Sequence, residues 1–124
     1  NHALNSLTWI GNQIPSDDLA DLLIKSIIDN RFIENVSMQK CFSQEGVNGC
    51  RSLAALMVCG RPFNCLDFRR NGLLGIDDVA SALATNPQLE TLFMTENQLN
   101  DGDAVLISHA LKQNTNLQTM YLYD

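Results

Sequence analysis

Apolar and polar positions recur along this chain in a spaced order. Within Leu89–Leu99, LETLFMTENQL, apolar residues fall at positions 1, 4, 6 and 11, with Asn97 at position 9. Phe63–Leu73, FNCLDFRRNGL, has the same layout in Phe63, Leu66, Phe68, Asn71 and Leu73. Leu4–Ile14, LNSLTWIGNQI, repeats it in Leu4, Leu7, Trp9, Asn12 and Ile14. A divergent copy starts at Ile33 and runs through Val36 and Met38, with Cys41 in the Asn position; Ser43 replaces the final apolar residue and the loop QEGVNG follows. A last copy starts at Leu117 and continues through Met120 and Leu122. The starts at 4, 33, 63, 89 and 117 are separated by 29, 30, 26 and 28 residues.

The apolar pair at positions 4 and 6 has the two-residue period of a strand, so both point to one face and positions 3, 5 and 7 to the other. Strands are therefore expected near residues 6–10, 35–39, 65–69, 91–95 and 119–123. Position 9 lies where the chain leaves the strand; a buried Asn amide there can satisfy backbone groups that the turn leaves unpaired, and neighbouring copies can form a ladder. The second halves have helical spacing: Leu19, Leu22, Leu23 and Ile27; Leu53, Leu56 and Met57; Val79 and Leu83; Ile107, Ala110 and Leu111. Helices are expected near 17–29, 47–59, 76–85 and 102–113. Asp17 and Asp18, Asp77 and Asp78, Asp101 and Asp103 sit where they can cap N–H groups and favour the positive helix end. Asn1, Asn30, Gly60, Asn86 and Asn114, which precede the five starts by three residues, read as left-handed helix stops.

The five copies resemble the leucine-rich repeat family, with its Leu-x-x-Leu-x-Leu-x-x-Asn/Cys-x-Leu signature. The period and the helical second half are similar to the ribonuclease-inhibitor-like subclass. The resemblance implies an α/β fold: a right-handed leucine-rich repeat solenoid, a horseshoe fragment of about four and a half repeats. Parallel strands would line its concave face and helices its convex face. It also implies one domain over residues 1–124, flanking repeats at both ends, and exposed apolar core residues in the end copies, among them Leu4, Leu7, Met120 and Leu122.

Composition narrows the function classes. The chain has 124 residues, 18 Leu, 13 Asn and a formal net charge of −6, an acidic balance that argues against nucleic acid as the main partner. No run of about 20 apolar residues is present, so no membrane span is expected within this segment. Cys41, Cys50, Cys59 and Cys65 contain no Cys-x-x-Cys pair and do not resemble a secreted disulfide framework; free thiols, no metal and an intracellular, cytoplasmic setting are expected. Asn35-Val36-Ser37 matches a glycosylation acceptor, but it falls on an expected strand.

No phosphate loop, nucleophile elbow or His-based dyad occurs, and His2 and His109 lie at opposite ends. The chain therefore reads as a non-enzyme without a cofactor. Its candidate site is the outward strand face. Position 5 reads Thr8, Ser37, Asp67, Phe93, Tyr121; position 7 reads Ile10, Gln39, Arg69, Thr95, Tyr123; position 8 includes Lys40 and Arg70. Nothing in the fold requires aromatics there, so Phe93, Tyr121 and Tyr123 form a candidate hot spot, with Lys40, Arg69 and Arg70 as a basic spot beside it. The expected partner is a protein or a larger assembly. The alternatives are a purely structural subunit and a GTPase-activating role, since this subclass also occurs in the Ran GTPase activator.

Overall fold

The computed structural model describes residues 4–43 and 47–122. Strands and helices alternate: β1 (Ser6–Ile10), α1 (Asp17–Asp29), β2 (Asn35–Gln39), α2 (Gly49–Val58), β3 (Cys65–Asp67), α3 (Asp77–Ala84), β4 (Thr91–Phe93), α4 (Asp101–Leu111) and β5 (Thr119–Tyr121). The strands form one all-parallel sheet in the order β1-β2-β3-β4-β5. Its register follows the sequence copies: Leu7, Val36, Leu66, Leu92 and Met120 stand opposite one another in turn. Each helix lies beside the next in chain order.

Sheet and helices share one core. Val36, Leu66 and Leu92 from the strands pack with Ile24 and Ile27 of α1, Leu53 and Leu56 of α2, Val79 and Leu83 of α3, and Ile107 of α4. Burying each such side chain contributes roughly 1.5–3 kcal/mol. Two helices turn differently from the expected spacing. In α1 the buried face is Ala20, Ile24 and Ile27, whereas Leu19 and Leu22 are exposed. Asp17 and Asp21 face α2, through Asn48 N–H and the Arg51 guanidinium respectively, and Leu19 and Leu22 lie around the helix from them. In α4, Ile107 and Ala110 are buried but Leu111 is exposed. Both helices end the row, so each has a helical neighbour on one side. In the end copies Leu4 is exposed, while Leu7, Met120 and Leu122 are partly buried against the core.

Three of the four helix starts, those of α1, α2 and α4, are capped by residues other than the expected Asp pairs, and α3, with Ile76 at its cap position, has no side-chain cap. Ser16 accepts from Leu19 N–H, Asn48 from Arg51 N–H and Asn100 from Asp103 N–H. Asp103 alone among the paired acids closes a capping box, accepting from Asn100 N–H. A short neutral side chain at the cap reaches the free N–H groups, and the acids behind it lie in the first turn, favourably placed in the helix dipole.

The left-handed stops occur at Gly60 (φ 88°) and Asn86 (φ 60°). Asn30 differs, with φ −87°, and its side-chain oxygen accepts from Phe32 N–H at 3.0 Å. Asn114 accepts from Leu117 N–H at 2.8 Å and is absent from the left-handed residues. In both, a side-chain hydrogen bond closes the turn without the unusual backbone. Asn1 lies outside the described residues.

Position 9 forms the expected ladder over two copies. Asn71 accepts from Cys41 N–H at 3.1 Å and Phe42 N–H at 3.4 Å, and donates to Met38 C=O at 2.6 Å and Phe68 C=O at 3.1 Å. Asn97 accepts from Asn71 N–H and Leu73 N–H at 3.0 and 2.9 Å, and donates to Phe68 C=O and Met94 C=O, both at 3.0 Å. Both are buried. Asn12 is exposed instead, because β1 is an end strand and pairs only with β2. Where Gly60 replaces the Asn before β3, Arg61 takes over: its guanidinium donates to Ile27 C=O at 3.0 Å and to Ile33 C=O at 2.5 Å. Asn114 donates to the corresponding carbonyl, Leu83 C=O, at 3.1 Å.

Ser52 in α2 is 2% exposed, and its hydroxyl is the one buried side-chain polar atom without a partner among the described residues. Ser52→Ala is expected to stabilise the fold by about 1 kcal/mol, because it removes a desolvated, unbonded group. Urea titration checks this; a lower midpoint for the variant would mean that the hydroxyl is bonded in solution.

Candidate functional site

The helices cover one face of the sheet, and the odd strand positions line the other. Strand alternation places Thr8, Ser37, Asp67, Phe93 and Tyr121 in one row, each opposite the next. Phe93 and Tyr121 stack with ring centroids 4.6 Å apart and planes 3° from parallel. The Arg69 guanidinium carbon stands 4.9 Å from the Phe93 centroid. β4 runs between β3 and β5, so Arg69 and Tyr121 approach Phe93 from opposite sides and the three form a layered stack.

Arg69 is fixed from behind. Asp67 accepts from its Nε at 2.9 Å, its Nη2 at 2.7 Å and its backbone N–H at 3.2 Å. Asp67 also receives Ser37 Oγ and Gln39 Nε2, each at 3.3 Å. The Asp67 carboxylate is 9% exposed and the Arg69 side chain 36%. Hydrogen bonding to Asp67 holds the Arg69 pKa above its ordinary value, so the cation is permanent. A two-pronged pair of this kind sets the orientation of a guanidinium as well as its charge. Asp67, Gln39 and Thr95 are buried although they occupy outward positions; Ser37, Gln39 and Arg69 close over the Asp67 carboxylate.

The basic spot is therefore not a patch of unpaired cations. Arg69 is paired with Asp67, and Arg70 donates from Nε to Glu96 at 2.8 Å in an exposed bridge. Lys40 is exposed and makes no ion pair among the described residues. Tyr123 lies outside the described residues. The pairing of Asp67 with Arg69 was readable from their opposite charges two residues apart; the residue missed in the sequence was Glu96 as the partner of Arg70.

The loops after β1 to β4 share one backbone device. Gly11, Lys40, Arg70 and Glu96, all at position 8, have φ of 83°, 55°, 61° and 59°. A non-glycine residue there costs roughly 1–2 kcal/mol. Lys40→Gly is expected to raise stability by about 0.5–1 kcal/mol, the strain relieved minus the added chain entropy. Thermal melting reads this out, and a destabilised variant would show that the Lys40 side chain makes a contact worth more than the strain.

Cys41, Cys50 and Cys65 offer little reactivity. Cys41 and Cys50 are buried, and Cys59 and Cys65 partly so. Burial pushes the Cys41 thiol up to about 12. Burial, with Asp78 and Asp103 nearby, pushes Cys50 to about 11; Cys65 is raised by burial and then by Asp67. A protonated thiol is a poor nucleophile and a poor metal ligand. Among the described residues no group of three or more His, Cys, Asp or Glu side chains is placed to hold a metal ion, and no helix is long and apolar enough to cross a membrane. The arrangement on the strand face is suited to recognition: a fixed guanidinium, two stacked rings and exposed charges at the loop exits. Comparison with protein-family models, with curated proteins and with solved structures gave no match to this chain.

Proposed function

We propose that this chain is a protein-interaction module, a right-handed solenoid of leucine-rich repeat type that binds a partner protein through its uncovered strand face. The solenoid reading is supported by the agreement between the sequence intervals and the strand register, copy against copy. The binding reading is carried by one observation, the stack of Arg69, Phe93 and Tyr121. Large aromatic and arginine side chains are the residues on which binding energy concentrates. The GTPase-activating alternative is weaker, because both arginines that could stabilise a phosphate are engaged by carboxylates. A thiol-bearing core suits a reducing, intracellular compartment.

The test is comparative. Partners captured by the wild-type chain are identified by mass spectrometry, and their affinities are measured against Phe93→Ala. Removing Phe93 is expected to weaken the true partner by about 2 kcal/mol or more, roughly 30-fold. The stability cost is about 1–2 kcal/mol, for the lost stacking and cation–π contacts. Undiminished affinity would move the binding surface to the helices.

A further inference from the structure

The geometry of the stack determines what it can offer a partner. Both faces of the Phe93 ring are occupied, one by Arg69 and the other by Tyr121. What Phe93 presents outward is its ring edge. Aromatic edges carry the positive end of the ring quadrupole, and ring faces the negative end. Arg69 likewise turns a rim of N–H donors outward: Asp67 engages Nε and Nη2, and nothing among the described residues engages Nη1. The apolar shelf is thus bordered by electropositive edges and donors, a surface that fits acceptors.

Charge points the same way. Lys40, Arg69 and Arg70 are three of the chain's eight Lys and Arg residues. Among the described residues Asp67 and Glu96 pair with Arg69 and Arg70, which leaves Lys40 as the cation of the three without an ion pair on a chain of net −6. Asp67 faces inward and is nearly covered. Six of the remaining acids, Asp17, Asp18, Asp77, Asp78, Asp101 and Asp103, sit in the first turns of helices. At physiological salt, charges more than about 8 Å away are largely screened, so an approaching segment senses the charges nearest to it.

Resting on the strand-face reading above, we propose that the partner segment bound there is acidic. Its carboxylates and main-chain carbonyls would meet the Arg69 rim, the Phe93 ring edge, and the Arg70 and Lys40 side chains at the loop exits. Complementary charge of this kind sets partner choice and speeds encounter.

The probes are terminally blocked oligoglutamate and oligoglutamine peptides of about ten residues and an oligothymidylate of equal length, titrated into the ¹⁵N-labelled chain. Oligoglutamate is expected to shift the amides of Arg69, Arg70, Phe93 and Tyr121. Its affinity should fall about 10-fold or more between about 50 and 300 mM salt. It should also fall about 5-fold or more in Phe93→Leu and in the Lys40→Gln, Arg70→Gln double variant. Both variants change exposed or half-exposed side chains, and thermal melting verifies that they fold. Three results would overturn the proposal: equal binding of oligoglutamine, tighter binding of oligothymidylate, or no shift at these amides with oligoglutamate at millimolar concentration. Equal binding of oligoglutamine at the same amides would remove the acidic specificity and leave the strand face standing. The strand face itself is decided separately, by capture with Phe93→Ala.

Discussion

Asn71→Ala is expected to cost about 3–5 kcal/mol of folding stability, a large share of the roughly 5–15 kcal/mol typical of a domain. The Asn71 amide serves four backbone groups: two N–H donors, of Cys41 and Phe42, and two carbonyls, of Met38 and Phe68. Three belong to the preceding copy and one to its own, so the amide joins two units at the point where the chain turns off the strand. Alanine leaves the Cys41 and Phe42 N–H groups and the Met38 carbonyl buried without that partner, while the Phe68 carbonyl keeps Asn97; each unsatisfied group costs about 1–3 kcal/mol before relaxation or water entry recovers part of it. Asn71→Asp sharpens the test. It keeps acceptors for the two N–H groups but turns an acceptor toward the carbonyls of Met38 and Phe68, so it should be at least as harmful as alanine. Urea unfolding followed by circular dichroism gives both values. A loss below about 1 kcal/mol for Asn71→Ala would mean that the ladder adds little to the packing.

Leu92→Ala is expected to cost about 2–5 kcal/mol through the cavity it leaves. Leu92 is fully buried in β4, between Leu66 and Met120 in the neighbouring strands. Leu92→Met, which conserves volume, should cost less than about 1.5 kcal/mol. Phe93, one residue further on, points to the opposite face. The two alanine variants should therefore invert: Leu92→Ala is the more damaging to melting, and Phe93→Ala the more damaging to partner affinity. If Leu92→Ala melted like wild type, the inward assignment of the strand positions would be wrong for β4.

Element order and strand register were legible because the copies share inward apolar sites, among them position 4, filled by Leu7, Val36, Leu66, Leu92 and Met120. Aligning that site aligns the sheet. Helix rotation was less legible. Leu19, Leu22, Leu23 and Ile27 follow helical spacing, and so do Ala20, Ile24 and Ile27; the structure buries the second stripe, with Asp17 and Asp21 turned toward α2. At the candidate site, alternation identified the face of each residue but not what covers it. Phe93 and Tyr121 stack on the face away from the helices, while Asp67, read as outward, is buried by Ser37 and Gln39 of β2 and by Arg69 just after β3. Arg61 shows the limit most clearly. It supplies to Ile27 C=O what Asn114 supplies to Leu83 C=O, but it is a different residue type, displaced by one position, so no pattern of identities would have matched the two.

The cross-copy hydrogen bonds of Asn71 and Asn97 reach only the adjacent unit. In the solenoid proposed above, cooperativity would be transmitted one junction at a time, as in a one-dimensional lattice. Interior units are gripped from both sides, whereas β1 and β5 each have one sheet neighbour. Amide exchange should accordingly be slowest around β3 and faster toward both ends. The Phe93–Tyr121 stack bridges β4 to the terminal strand β5. The proposed partner, seated there, would hold β5 from a second direction, and the melting temperature of this chain should then rise with partner concentration by mass action.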